Sequence, residues 1–232
     1  NETAHLFSYL TFTNNFDFIK YGLPDASILG VLWSIAIEEQ FYFVWPILLT
    51  IVPAKHYLKL FTGIIICSLV FRCIYTDPLM YEHHTLSCMG DLTIGASGAY
   101  LCRMPQFRSR LENLSKISIA IIYAAFILVF FFREQLLERN FYIHIFERSF
   151  IAMIILMIIL EQNFAKNSFF KMSGFKQLSR LGLISYGLYC LHFIGILITV
   201  TLAKKLQYNT RLSVVMLVES PVALILTIFI SS

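Results

Sequence analysis

Apolar residues run along this chain in long uninterrupted blocks, not in the alternation of a half-buried strand or the stripe of an amphipathic helix. A membrane-spanning helix needs about 20 mainly apolar residues. Seven blocks are candidates: Ile28–Val52, Leu60–Tyr75, Leu86–Leu101, Ile117–Phe132, Ser149–Leu160, Leu183–Leu202 and Leu212–Ile230. In lipid, a stretch such as Ile117–Phe132 can satisfy its backbone groups only as a helix. A closed β-barrel would alternate polar and apolar residues over short segments, and these blocks do not. The pattern predicts an all-α fold, a polytopic transmembrane helix bundle of about seven spans, as a single domain over residues 1–232. The first 27 residues mix polar and aromatic side chains, with Asn14, Asn15, Pro24 and Asp25, and are expected as a loop.

Composition sharpens this. Of 232 residues, 58% are hydrophobic and 14% charged, where soluble domains run at roughly 45–50% and about 25%. Mean hydropathy is +0.72. A water-soluble core of this size cannot hide so much apolar surface, which excludes a soluble domain, a disordered chain, a coiled coil and a disulfide-stapled module. The net charge of +4 comes from dispersed basic residues, whereas a nucleic-acid footprint would cluster them on one face. Five cysteines without a CxxC pair read as small core residues.

Orientation follows from Lys and Arg in the loops. One side receives Lys20, Arg72, Arg133, Arg139, Arg148, Lys204, Lys205 and Arg211. The other receives Lys55, Lys59, Arg103, Arg108, Arg110, Lys116, Lys166, Lys171, Lys176 and Arg180. The richer side is expected to be cytoplasmic, which leaves the C-terminus inside a multi-pass protein of the cell membrane. The chain opens at Asn1 with no initiator Met or signal peptide, so it is expected to be the later part of a longer membrane protein.

Ionisable side chains in membrane helices are costly and are functional candidates by default. Ser34, Glu38 and Tyr42 lie four apart and share one helical face, flanked by Trp33, Gln40 and Phe41. The alternative places Glu38 and Glu39 at headgroup level, where carboxylates suit a helix start, with Trp33 and Trp45 as interface anchors. Asp91 opens the run Asp91-Leu92-Thr93-Ile94-Gly95-Ala96. It is either a helix cap or a pocket carboxylate, and Gly95 with Ala99 lets helices approach closely. Ser185, Tyr189 and His192 again share a face, with a hydroxyl, a phenol and an imidazole. His56, His83 and His84 have no metal-ligand spacing from any acid, so no metal is assigned.

The run Trp33-Ser34-x-x-x-Glu38-x-Gln40-Phe41-Tyr42, closing with Pro46, resembles the signature of acyltransferase family 3, the integral-membrane O-acyltransferases that decorate bacterial surface glycans. Later features resemble the family in the same order: Asp91 with Gly95 and Ala96, then Ser185-Tyr186-x-x-Tyr189-x-x-His192, then Val218-Glu219-Ser220-Pro221. Such proteins usually have about ten membrane helices, so seven here fits absence of roughly the first three. The family's catalytic His, with a partner Arg, lies on its first helix, and no residue here matches it. Many members carry an Arg close before the acid, where Met89 and Gly90 stand here.

The resemblance implies transfer of an acyl group, most often acetyl, from acyl-CoA to a hydroxyl of a cell-surface polysaccharide or lipid-linked sugar. Acyl-CoA is then a co-substrate, and no bound cofactor is implied. Glu38 would orient or charge a catalytic imidazole. Ser34, Tyr42 and Tyr189 would supply hydroxyl donors, and His192 would be a second imidazole or a structural partner of Tyr189. Trp33, Gln40, Asp91, Tyr189 and Ser185 would contact substrate. The basic stretch Arg103–Lys116 either meets the CoA phosphates or only sets orientation. This reading expects Glu38 and His192 in one water-poor chamber. Its rivals are a transporter or flippase, in which Glu38 and Asp91 bind ions or cargo, and an inactive membrane scaffold.

Overall fold

The computed structural model describes residues 4–138, 141–205 and 215–231, and every regular element among them is helical. In chain order these are α1 (Leu6–Leu10), α2 (Asn14–Tyr21), α3 (Ser27–Gly30), α4 (Leu32–Ile51), α5 (Tyr57–Ile74), α6 (Pro78–His83), α7 (Thr85–Leu101), α8 (Pro105–Glu112), α9 (Lys116–Arg133), α10 (Phe141–Phe164), α11 (Lys176–Leu183), α12 (Ser185–Lys205) and α13 (Ser220–Ser231). Each of the seven expected blocks falls on helix, with shifted ends, and the first of them is divided between α3 and α4. Ser149–Leu160 grows into the 24 residues of α10. The last block keeps α13, and its start lies outside the described residues.

Four described helical stretches are long and apolar enough to cross a membrane: Ala54–Ile74, Lys116–Leu136, Ile143–Phe164 and Ser185–Lys205. The other three expected spans fall short for separate reasons. α4 carries Glu38 and Glu39 in its first half, α7 has 17 residues with Asp91 among them, and α13 has 12.

Of the first 27 residues, the described ones, 4–27, are not the expected loop. They form α1, α2 and the start of α3, and Asn14, Asn15 and Phe18 are buried. Phe18 packs on the Tyr9 and His83 rings, and polar bonds add to this. Asn15 Nδ2 donates to the His83 carbonyl and to Thr85 Oγ1, both at 3.0 Å, so a short polar segment is anchored on the α6–α7 corner. Sequence hydropathy is blind to such bonds.

By its contacts the chain divides into two units. One comprises residues 3–23 and 33–171, hence α1, α2, nearly all of α4 and α5 to α10. Its main packing is α5 on α7 and α7 on α10. Gly90 makes the first contact possible, because a Cβ there would lie 2.7 Å from Ser68 Oγ. α4 joins through aromatic rings: Trp45 stacks on Phe41 at 4.5 Å and on Phe61 of α5 at 5.1 Å. The other unit comprises residues 24–32 and 172–232, hence α3 and α11 to α13. Its core is the α12–α13 seam, where Gly195 faces Ala223 and Thr227.

Candidate active site

α4, α5, α7 and α10 bring the polar groups of the first unit together. Asp91 is the seventh residue of α7 and caps nothing; the cap is His84, whose ring nitrogen accepts from the Leu86 amide. Arg72, near the end of α5, is fully buried. Its Nη2 donates to Asp91 Oδ1 at 2.9 Å and to the Ser87 carbonyl. Its Nε reaches the same carbonyl at 3.0 Å, and its Nη1 reaches Ser149 Oγ at 3.1 Å and the Ile145 carbonyl at 3.5 Å. Arg148 of α10 takes the other carboxylate oxygen: its Nε stands 3.0 Å from Asp91 Oδ2. Its Nη1 donates to the Glu82 carbonyl at 3.3 Å and its Nη2 to Cys88 Sγ at 3.2 Å. Each oxygen of one half-buried carboxylate is thus held by a different guanidinium.

Beside this cluster is a cavity of about 140 Å3, lined by Trp33, Ser34, Ile37 and Glu38 of α4, Cys88, Asp91 and Leu92 of α7, and Arg148. It is smaller than the roughly 300–1,000 Å3 of drug-sized ligand sites. It suits a small reacting group rather than a whole nucleotide.

Four of the residues singled out in the sequence, Trp33, Ser34, Glu38 and Asp91, meet in this cavity. Tyr42 does not line it, and its side chain is 58% exposed although it lies one turn beyond Glu38. Gln40 faces elsewhere. Its amide nitrogen donates to the Phe12 carbonyl at 2.6 Å and to Asn15 Oδ1 at 2.9 Å, and its oxygen accepts from Thr85 Oγ1 at 2.5 Å. The amide nitrogen holds the N-terminal segment and the oxygen holds the start of α7, so Gln40 is a tie between elements and not a cavity residue. Trp33 also packs on the His83 ring at 4.6 Å. Outside the membrane spans, burial pushes the imidazoles of His83 and His84 below the ordinary histidine range.

Ser185, Tyr189 and His192 belong to the second unit. Ser185 Oγ donates to the Gly182 carbonyl at 2.9 Å and tightens the start of α12. Tyr189 Oη donates to the Val31 carbonyl at 3.4 Å. His192 Nδ1 lies 2.6 Å from the Tyr189 carbonyl. A carbonyl only accepts, so Nδ1 carries the proton and Nε2 presents a lone pair. In the same unit Glu219 is buried.

The arginines are what the sequence reading missed. Arg72 and Arg148 were counted there as loop charges, but both are spent on Asp91. A signal existed: Arg72 stands inside the apolar block Leu60–Tyr75, where an ionisable residue is functional by default. The Arg expected just before Asp91 is replaced in space by two others, 19 and 57 residues away in sequence. Without them the orientation balance becomes six against ten, in the same direction.

A family model described as an acyltransferase domain matches residues 3–232. The chain belongs to acyltransferase family 3. Among its relatives, the peptidoglycan O-acetyltransferase OatA of Listeria monocytogenes is 29% identical over 211 residues, which are 87% of this chain and 34% of that protein. The chain thus spans about a third of the length of the relative it matches. No solved structure matches it.

Proposed function

We propose that this chain serves membrane-bound O-acyl transfer, moving an acetyl group from acetyl-CoA to a hydroxyl of a cell-surface glycan of the peptidoglycan type. The family membership supports the reaction class, and the relative's name supports the acceptor class. The single observation that carries the site is the cavity in which Glu38 and Ser34 share walls with the doubly clamped Asp91 and with Arg148. Two guanidiniums against one carboxylate leave that cluster one positive charge in excess, in the cavity that Glu38 also lines.

In the proposed reaction a base takes the acceptor hydroxyl proton and the oxygen attacks the thioester carbonyl. A C–O bond forms, the C–S bond breaks, and the proton ends on the CoA thiolate. Glu38 holds the tautomer and charge of the base. The Ser34 hydroxyl and the positive field of Arg148 stabilise the oxyanion. His192 is proposed as a further imidazole with its Nε2 lone pair free to accept, and the basic stretch Arg103–Lys116 as the contact for CoA phosphates. The C-terminus is proposed to be cytoplasmic.

The decisive test is Glu38→Gln in the full-length protein. Membrane insertion is retained and acetyl transfer falls at least about 100-fold, the low end of acid–base contributions. Wild-type-like acetylation by this variant removes Glu38 from the mechanism.

A further inference from the structure

A second polar cavity of about 290 Å3 lies in the same unit, lined by Thr76, Pro78, Tyr81, Glu82, His144 and Ile145, with Arg72 in its wall. It stands across that wall from the Asp91 cavity. Arg72 lines one space and holds Asp91, which lines the other; the Glu82 carbonyl is held by Arg148 of the second space.

The chemistry of this cavity follows from which donors are already used. Arg72 spends its N–H groups on Ser87, Ile145, Ser149 and Asp91. Tyr81 Oη donates to the His144 carbonyl at 2.7 Å. His144 Nδ1 lies 2.7 Å from Glu147 Oε2, and Glu147 is also paired with Arg133. Because a carboxylate already balanced by an arginine accepts there, Nδ1 carries the proton and Nε2 is left as an acceptor. The buried Tyr81 ring stacks on the half-exposed His144 ring at 4.6 Å, so the aromatic surface left to the cavity is that of His144.

What the cavity has to offer is therefore acceptors, the Glu82 carboxylate and His144 Nε2, with the Thr76 hydroxyl and a ring surface. Phosphate and carboxylate ligands find used donors and a like charge. A polyhydroxylated ring, which donates many O–H groups and has an apolar face, matches both features. We infer that this cavity is a saccharide subsite, binding one sugar ring of the acceptor glycan away from the reacting hydroxyl. The inference rests on the proposed transfer reaction for its biological meaning, and not for its chemistry. The volume lies near the lower end of ligand pockets, which fits one substituted ring.

The test uses the full-length protein in detergent and a tetramer of N-acetylglucosamine as the probe. Glu82→Gln and Thr76→Val alter exposed side chains whose backbone contacts stay in place. Each raises the Kd of the tetramer, about tenfold for Glu82→Gln, since a hydrogen bond to a charged group contributes about 1.5–3 kcal/mol. In turnover the same variants raise KM for the acceptor and not KM for acetyl-CoA. Inorganic phosphate does not compete. An unaltered Kd in both variants, no binding by the wild type, or displacement by phosphate overturns the subsite. Tetramer binding lost in the variants while the wild type transfers no acetyl group upholds the subsite and sinks the transfer reading. Normal transfer with variant-insensitive binding does the reverse.

Discussion

Arg148 Nε stands 3.0 Å from Asp91 Oδ2, a pairing across 57 residues that ties α10 to α7. With Arg72 on the other oxygen, one carboxylate is shared by two guanidiniums, one of them fully out of solvent. Removing that carboxylate leaves a buried cation without its counter-charge.

Asp91→Asn is therefore expected to destabilise the protein by roughly 3–5 kcal/mol, the range for breaking one partner of a buried pair. Thermal unfolding in detergent measures it. Because Arg72 also anchors on Ser87 and Ser149, the double variant Asp91→Asn, Arg72→Met recovers part of the loss. If the single substitution leaves the unfolding temperature unchanged, the clamp is not structural.

Tyr42 and Ser34 share a helical face with Glu38 by spacing, yet only Ser34 lines the cavity. Tyr42→Phe is expected to keep acetyl transfer within about twofold. Ser34→Ala loses a proposed oxyanion donor and falls about 100-fold or more in kcat. A Tyr42→Phe loss as large as that of Ser34→Ala would return the phenol to the mechanism.

His83 is buried against Trp33 and Phe18, with a ring nitrogen that has no hydrogen-bond partner among the described residues. Burial lowers its folded pKa, and that of His84, below the value of about 6.5 expected when unfolded. The unfolded chain then takes up protons first, so stability rises with pH in this window. It is complete above about pH 7 and declines as pH falls through 6.5 towards the depressed folded values. Unfolding scans between pH 8 and 5.5 follow this, and His83→Phe flattens the profile. A wild-type profile flat across that range contradicts the burial.

Two glycines separate rigid from yielding contacts. A Cβ on Gly195 would lie 2.8 Å from the Ala223 carbonyl oxygen, which is backbone, whereas the nearest atoms to one on Gly98 belong to the Leu156 side chain. Gly195→Ala is expected to cost about 1–3 kcal/mol, the usual penalty of overpacking. Gly98→Ala costs less, because Leu156 can change rotamer. Equal shifts in unfolding temperature would mean that the α12–α13 seam opens easily.

The long apolar helices, their lipid setting and the family were legible along the chain, because hydropathy and short motifs are local properties. A run such as Lys116–Arg133 has no other way to satisfy its backbone in lipid, and Trp33-Ser34 with Glu38 is a four-residue spacing on one turn. Tertiary structure alone decided where charge goes. A lone Arg at the end of an apolar run has the same local pattern whether it sits in a loop or reaches inward. Only helix packing shows that Arg72 and Arg148 converge on Asp91, that Gln40 is used up by Asn15 and Thr85, and that Glu147 sets the tautomer of His144. Such pairings join residues far apart in sequence through bonds a few ångströms long, and no periodicity encodes them.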